Sequence, residues 1–223
     1  MGMRTSVAAF ATAGCALAAW ACAGAAVAAT PISPSVQVVL KPAQIGPGYR
    51  LHPPFSDCVA DCVTLDLCGF SFPSEQLRTT RLQTVYTRSR TGMQLSNEVV
   101  TYRKGGAVQA MAELAYAITH CPKKAVRSTV RGVPPARYGL KVLKDSKLLP
   151  DTIALEIRMT GKVGKHVERS TVVAVYQIDG DVLSGVYSAA PKRFTAAQQI
   201  RFALHAAEAS AANLMRFVGS ATS

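Results

Sequence analysis

The residues best placed to do chemistry are cationic. Residues 78–147 hold fourteen Lys and Arg against Glu98, Glu113 and Asp145, whereas the rest of the chain beyond residue 29 balances ten basic against ten acidic side chains. Arg127 and Arg131 are spaced four apart, as are Arg137 and Lys141, and an even step puts each pair on one face of an extended strand. The alternate positions hold Val126, Ser128 and Val130 in one segment and Tyr138, Leu140 and Val142 in the other. One face therefore reads as apolar and the other as basic. Such a surface concentrates anions, and Arg offers paired donors to phosphate and carboxylate. Arg88, Arg90, Arg103 and Lys104 are expected to join it through a neighbouring hairpin. The plain alternative is a solvated cationic face without a ligand.

Cysteine is the second informative set, and its meaning depends on compartment. Residues 1–29 read as an export signal: Arg4 carries the only charge, and an apolar run ends in Ala26-Val27-Ala28-Ala29, small residues at the spacing that signal peptidase needs. Cleavage is expected after Ala28 or Ala29. A retained anchor is the alternative, and the Ala-rich run is weakly apolar for that task. A lipoprotein anchored through Cys22 is another, although Ala19-Trp20-Ala21 lacks the branched residue expected three places before such a cysteine. The mature chain of about 194 residues keeps Cys58, Cys62, Cys68 and Cys121 and no Trp. In an oxidising compartment four cysteines read as two disulfides with three possible connectivities. Cys68 with Cys121 and Cys58 with Cys62 is the expected pairing, because the helical stripe described below turns Cys121 toward the core while the close pair can staple a turn. Metal ligation by Cys58, Cys62, Cys68 and His120-Cys121 is the competing possibility.

Catalytic patterns are sparse. The chain has no Gly-x-Ser-x-Gly and no His-Glu-x-x-His, and Gly161-Lys162-Val163-Gly164-Lys165 lacks the spacing and hydroxyl of a phosphate-binding loop. His52, His120, His166 and His205 have no evident partners. Glu98, Glu156 and Glu168 are the carboxylates that a glycosidase would have to pair. Tyr86, Tyr102, Tyr116, Tyr138, Tyr176 and Tyr187 read first as core.

The elements that must position these groups follow from periodicity. Residues 30–57 carry Pro31, Pro34, Pro42, Pro47, Pro53 and Pro54, which reads as an extended arm or linker, with residues 36–40 able to dock as an edge strand. Residues 81–88 and 95–103 form a hairpin around Thr91-Gly92. Ala107, Met111, Leu114, Ile118 and Cys121 recur on one helical face that ends at Pro122. Strands are expected at 126–130, 137–142, 152–160, 171–178 and 182–188, with Asp179-Gly180 as a tight turn. A last helix starts at the capping pattern Thr195-x-x-Gln198, carries a stripe of Ile200, Leu204, Ala207, Ala211, Leu214 and Val218, and ends at Gly219. The class is α+β: a curved, mainly antiparallel sheet with two packed helices in the order ββαβββββα, forming one domain over 58–219 before a short tail.

This order resembles the PknH-like extracellular sensor domains of membrane kinases and of secreted or lipid-anchored actinobacterial proteins. The resemblance rests on Tyr102-Arg103-Lys104-Gly105-Gly106-Ala107, Cys121, residues 172–180 and residues 203–214, and covers residues 68–217. It implies a non-enzymatic envelope domain with a cleft over the sheet. No kinase domain is present in the chain. The expected function is thus an exported, monomeric binding or sensor-like domain without cofactor or metal, contacting an anionic envelope polymer or lipid headgroups. A secreted hydrolase acting on an envelope or ester substrate is the alternative. Nucleic acid is not expected as a partner, because aromatic residues are not interleaved with the basic ones and export argues against it.

Overall fold

The computed structural model describes residues 34–53, 55–56, 62–130, 132–191 and 193–221. The expected signal, Cys22, Cys58 and Arg131 lie outside the described residues. The first elements are α1 (Pro34–Val38), α2 (Pro42–Ile45), β1 (Tyr49–Leu51) and β2 (Phe55–Ser56). A 3-10 turn at Pro73–Leu77 then leads into β3 (Arg78–Arg88), β4 (Gln94–Tyr102) and α3 (Gly106–Thr119). β5 (Ala136–Leu143), β6 (Ile153–Val163), β7 (His166–Asp179), β8 (Val182–Ala189) and α4 (Ala196–Ala221) complete the chain.

The strands form one antiparallel sheet in the order β1-β3-β4-β8-β7-β6-β5, and β2 also pairs with β3. Alternation sends each strand's side chains to two opposite faces. On one face, Val100, Leu155, Ile157, Ala174, Tyr176 and Leu183 bury against Ala107, Ala110, Met111, Leu114 and Ala117 of α3. On the other, Tyr86, Leu95, Ala154, Val175 and Val186 bury against Ala206 and Ala207 of α4, together with Leu40 and Ile45. The sheet is thus the middle of three layers, and the expected α+β class holds.

Local chemistry explains the ends of these elements. Thr195 and Gln198 cap α4 reciprocally: the Thr195 N–H donates to Gln198 Oε1 at 2.9 Å, and the Gln198 N–H donates to Thr195 Oγ1 at 3.2 Å. Gly180, at φ +57°, makes the two-residue turn that lets Asp179 pair with Val182. The sheet side of α4 carries alanines and amides. Gln199 donates to the carbonyls of Thr171 and Ser188, at 3.0 and 2.6 Å, and Ser210 bonds Ser184 at 2.6 Å. Small side chains bring the helix axis close, and the amides satisfy backbone groups that this closeness strips of water.

Three expectations are corrected. Residues 34–53 are no extended arm: Pro34 and Pro42 begin short helices, where a missing N–H costs nothing, and residues 36–40 dock through helix rather than as an edge strand. Leu40 is pinned by its N–H to Asn97 Oδ1 at 2.7 Å and by Tyr86 Oη donating to its carbonyl at 2.6 Å. Residues 126–130 form a loop with a single bridge, Val126 to Ala136, so four strands rather than five separate the two long helices. Asp66 accepts from the Thr129 N–H at 3.1 Å and from the Ser128 hydroxyl, which occupies groups that a strand would offer to a neighbour. Finally, α4 runs past Gly219 to Ala221; the Val218 side chain is outside the described set.

Cys68 and Cys121 form the expected disulfide, with Cα atoms 5.4 Å apart. It joins the segment carrying buried Leu65 and Leu67 to the end of α3. Cys62 is also disulfide-bonded. Its expected partner, Cys58, is not among the described residues, which contain no group of three or more potential metal ligands. No helix among them is long and apolar enough to cross a membrane.

Candidate functional site

The described cations expected on one surface are divided among four places. Arg88 ends β3 and Arg90 follows in its turn, whereas Arg103 and Lys104 follow the opposite end of β4, which is on the order of 30 Å away for a nine-residue strand. Arg137 and Lys141 project from β5, five strand positions from β3, or about 24 Å. Arg127 is exposed in the loop before β5. Among the expected residues, the structure thus places Arg137 and Lys141 on one strand face and leaves the hairpin cations elsewhere.

Arg137 and Lys141 gain other neighbours. α4 lies over β7 and β8, leaving the outer part of the same face, on β5, β6 and the start of β7, uncovered. Leu143, Ala154 and Val175 pack toward α4, so the residues two, four and six positions away along their strands point to that side. Register then sets a grid. Arg137 lies beside Thr160, which lies beside Arg169; in the next row Gly139, Arg158 and Thr171 are neighbours; in the next, Lys141, Glu156 and Val173. Lys162 continues the series on β6. Strands about 4.8 Å apart and alternate residues about 6.8 Å apart put Arg137, Arg158 and Arg169 at the corners of a triangle with sides of about 8–10 Å.

All five cations are exposed. The carboxylate in their midst is Glu156, 2% exposed, which accepts from Arg158 Nε and Nη2 at 2.7 Å each. The Arg158 side chain remains 66% exposed. Burial of the acid and exposure of its partner fix the root of this guanidinium and leave its outer edge free. Glu168 has the opposite parity and points to the other face. Arg158, Lys162 and Arg169 are the members that pattern reading left out. Their period-two spacing was visible, but grouping them with Arg137 requires knowing that β5, β6 and β7 are consecutive neighbours.

The α3 side treats charge differently. Arg81 Nε contacts Glu98 Oε1, and both side chains are at most 5% exposed. Thr64 Oγ1 donates to Glu98 Oε1 at 2.7 Å and accepts from Arg78 Nη1 at 2.8 Å, while Glu75 accepts from the N–H groups of Thr64 and Leu65 at 2.9 and 3.1 Å. Burial raises the Glu75 carboxyl, an effect that the Thr64 N–H, Arg78 and the Leu65 N–H only partly reverse. Burial likewise holds Tyr102, Tyr176 and Tyr187 protonated far above the usual phenol range. The Tyr187 ring lies over Gly185, where an added Cβ would be 2.5 Å from its hydroxyl. Tyr86, Tyr102 and Tyr176 are core residues, Tyr138 and Tyr187 pack against the core, and Tyr116 is exposed and stacks on His120 at 3.9 Å.

Glu98 and Glu156 sit on opposite faces of the sheet, so they form no pair across a bound sugar. His52 bonds the Thr87 hydroxyl at 2.9 Å, and His166 and His205 are exposed. No family model matches the chain, and no curated protein matches it in sequence. Among solved structures it is similar to the extracellular domain of PknH from Mycobacterium tuberculosis, at a TM-score of 0.50 and 12% identity, over 81% of this chain and 97% of that one. The sensor-domain resemblance read from residues 102–107, Cys121 and the last helix therefore holds as a likeness of fold.

Proposed function

We propose that this chain is a non-enzymatic, sensor-like binding domain of the cell exterior, acting as a monomer and docking an anionic envelope polymer on the exposed face of β5, β6 and β7. The observation that carries this reading is the grid of Arg137, Lys141, Arg158, Lys162 and Arg169, in which Glu156, the carboxylate within the grid among the described residues, is buried and bound by Arg158. Repeated cations about 8–10 Å apart suit a repeating charge, because each guanidinium can take a phosphate or carboxylate with paired donors and no loop has to order. The Cys68–Cys121 disulfide fits an oxidising compartment.

Retention on immobilised long-chain polyphosphate, with phosphatidylglycerol vesicles as the comparison, tests this function. Binding is expected to polyphosphate and to disappear as salt rises from about 0.05 to 0.5 M, where screening shortens to a few Å. Replacing Arg137, Lys141 and Arg169 together by Gln should weaken it by at least about tenfold, the equivalent of 1.4 kcal/mol. Salt-independent retention, or full retention by the triple variant, rules out docking through this face. Binding to vesicles but not to polyphosphate reassigns the face to lipid headgroups.

A further inference from the structure

A concave surface lies at the turn end of the β3–β4 hairpin. β1, the residues before α4 and the first turns of α4 border an open pocket of about 310 Å³ there. Its wall is aromatic: the Tyr49 and Phe202 rings are parallel with centroids 5.2 Å apart, and Met93, which accepts a hydrogen bond from Tyr49 Oη at 3.4 Å, is buried beside them. Its cations are Arg88, whose guanidinium lies 5.8 Å over the Tyr49 ring, and Arg201 in α4. Neither has a carboxylate partner among the described residues.

The charge around this cavity is one-sided. Residues 45–51, 86–96 and 193–205 contain Arg50, Arg88, Arg90, Arg193 and Arg201 and no Asp or Glu. The Arg193 guanidinium is committed to the carbonyls of Arg90 and Thr91, so it clamps the turn. That leaves Arg88 and Arg201 as cations of the pocket without a carboxylate partner among the described residues, close to the positive end of a 26-residue helix. A ligand that answers both features has one flat apolar face and one anionic group at its edge.

A single sugar ring bearing phosphate or carboxylate meets that description. Its C–H face carries partial positive charge and is attracted to the negative face of an aromatic ring, while its anion takes paired donors from Arg. The volume is at the lower limit of ligand pockets, enough for one ring and too small for a folded polymer. We propose that this cavity binds one acidic saccharide ring, in a site separate from the polymer-docking face.

Calorimetric titration of the full chain with glucose 6-phosphate, glucuronate, glucose and inorganic phosphate tests it. Binding of at least one acidic sugar is expected, roughly tenfold or more tighter than glucose or inorganic phosphate, since a charge-assisted hydrogen bond and the ring contact each contribute on this scale. Which acidic sugar binds identifies the anion. Arg88→Ala and Arg201→Ala should each weaken it by about tenfold, whereas Lys104→Ala, which removes equal charge at the far end of β4, should leave it unchanged. Arg201 is exposed, so its loss cannot be attributed to unfolding. The inference is overturned if inorganic phosphate or glucose binds as tightly as the better-binding acidic sugar, if neither acidic sugar binds at about 10 mM, or if both arginine variants bind like the parent.

Discussion

The two faces of this sheet use the same residue types for opposite ends. On the α3 side of the sheet, Arg78 and Arg81 are closed in with Glu75, Glu98 and Thr64, every charge answered by a neighbour. On the outer part of the α4 side, Arg137, Lys141, Lys162 and Arg169 are open to water with no carboxylate partner among the described residues. Arg158 stands between the two regimes, its exposed guanidinium bound to a buried acid. The difference is one of solvation. A charge taken out of water must find its counterion inside the protein, whereas a charge left in water keeps its hydration and can exchange it for a ligand. Stability should therefore depend on the first set and binding on the second.

The strongest break of this comparison is removal of one buried partner. Glu98→Ala leaves the Arg81 guanidinium enclosed and unpaired, and should lower unfolding free energy by about 3–5 kcal/mol, whereas Arg169→Ala on the open face should cost less than about 1 kcal/mol. Urea unfolding of the two variants checks this. Equal losses would show that the α3-side charges are not an interdependent set.

A smaller effect is expected at Gly185, which lies beside Glu98 in the ladder. Gly185→Ala places a methyl 2.5 Å from the Tyr187 hydroxyl and 2.8 Å from its Cζ, so the ring must move, at a cost of about 1–3 kcal/mol. A melting temperature matching the parent's would mean that the ring has room to yield. Tyr187→Leu in the same background should recover part of the loss.

The finest distinction is in pH dependence. Because burial holds the Glu75 carboxyl above its ordinary value, the folded chain binds that proton more tightly than the unfolded chain does. This contribution to stability is fully present below the unfolded carboxylate range and is lost as pH rises through the raised folded value. Glu75→Gln should flatten this fall, seen by comparing urea midpoints from about pH 4 to 7. An unchanged slope in the variant would assign the pH dependence to other groups.

Much of the scaffold was legible in the chain because its signals are local. The stripe through Ala107, Met111 and Leu114 places α3, Thr195 with Gln198 starts α4, and Asp179-Gly180 turns β7 into β8. Cys121 at the end of the stripe pointed to Cys68. Residues 126–130 misled, because their alternation suits a strand while Asp66, some 60 residues away, occupies the loop's hydrogen-bonding groups. The proline-rich segment misled for a related reason: proline bars the middle of a helix but suits its first position.

Periodicity, cap chemistry and composition fixed the elements, the two-residue turn and the surplus of positive charge, since each acts over a few neighbouring residues. Tertiary structure alone decided where that charge lies. Insertion of β8 and β7 between β4 and β6 carries Arg137 away from Arg88 and brings it to Arg158 and Arg169. That order depends on which apolar faces can be buried together across the sheet, a long-range energy that the spacing of charges within any one strand does not record.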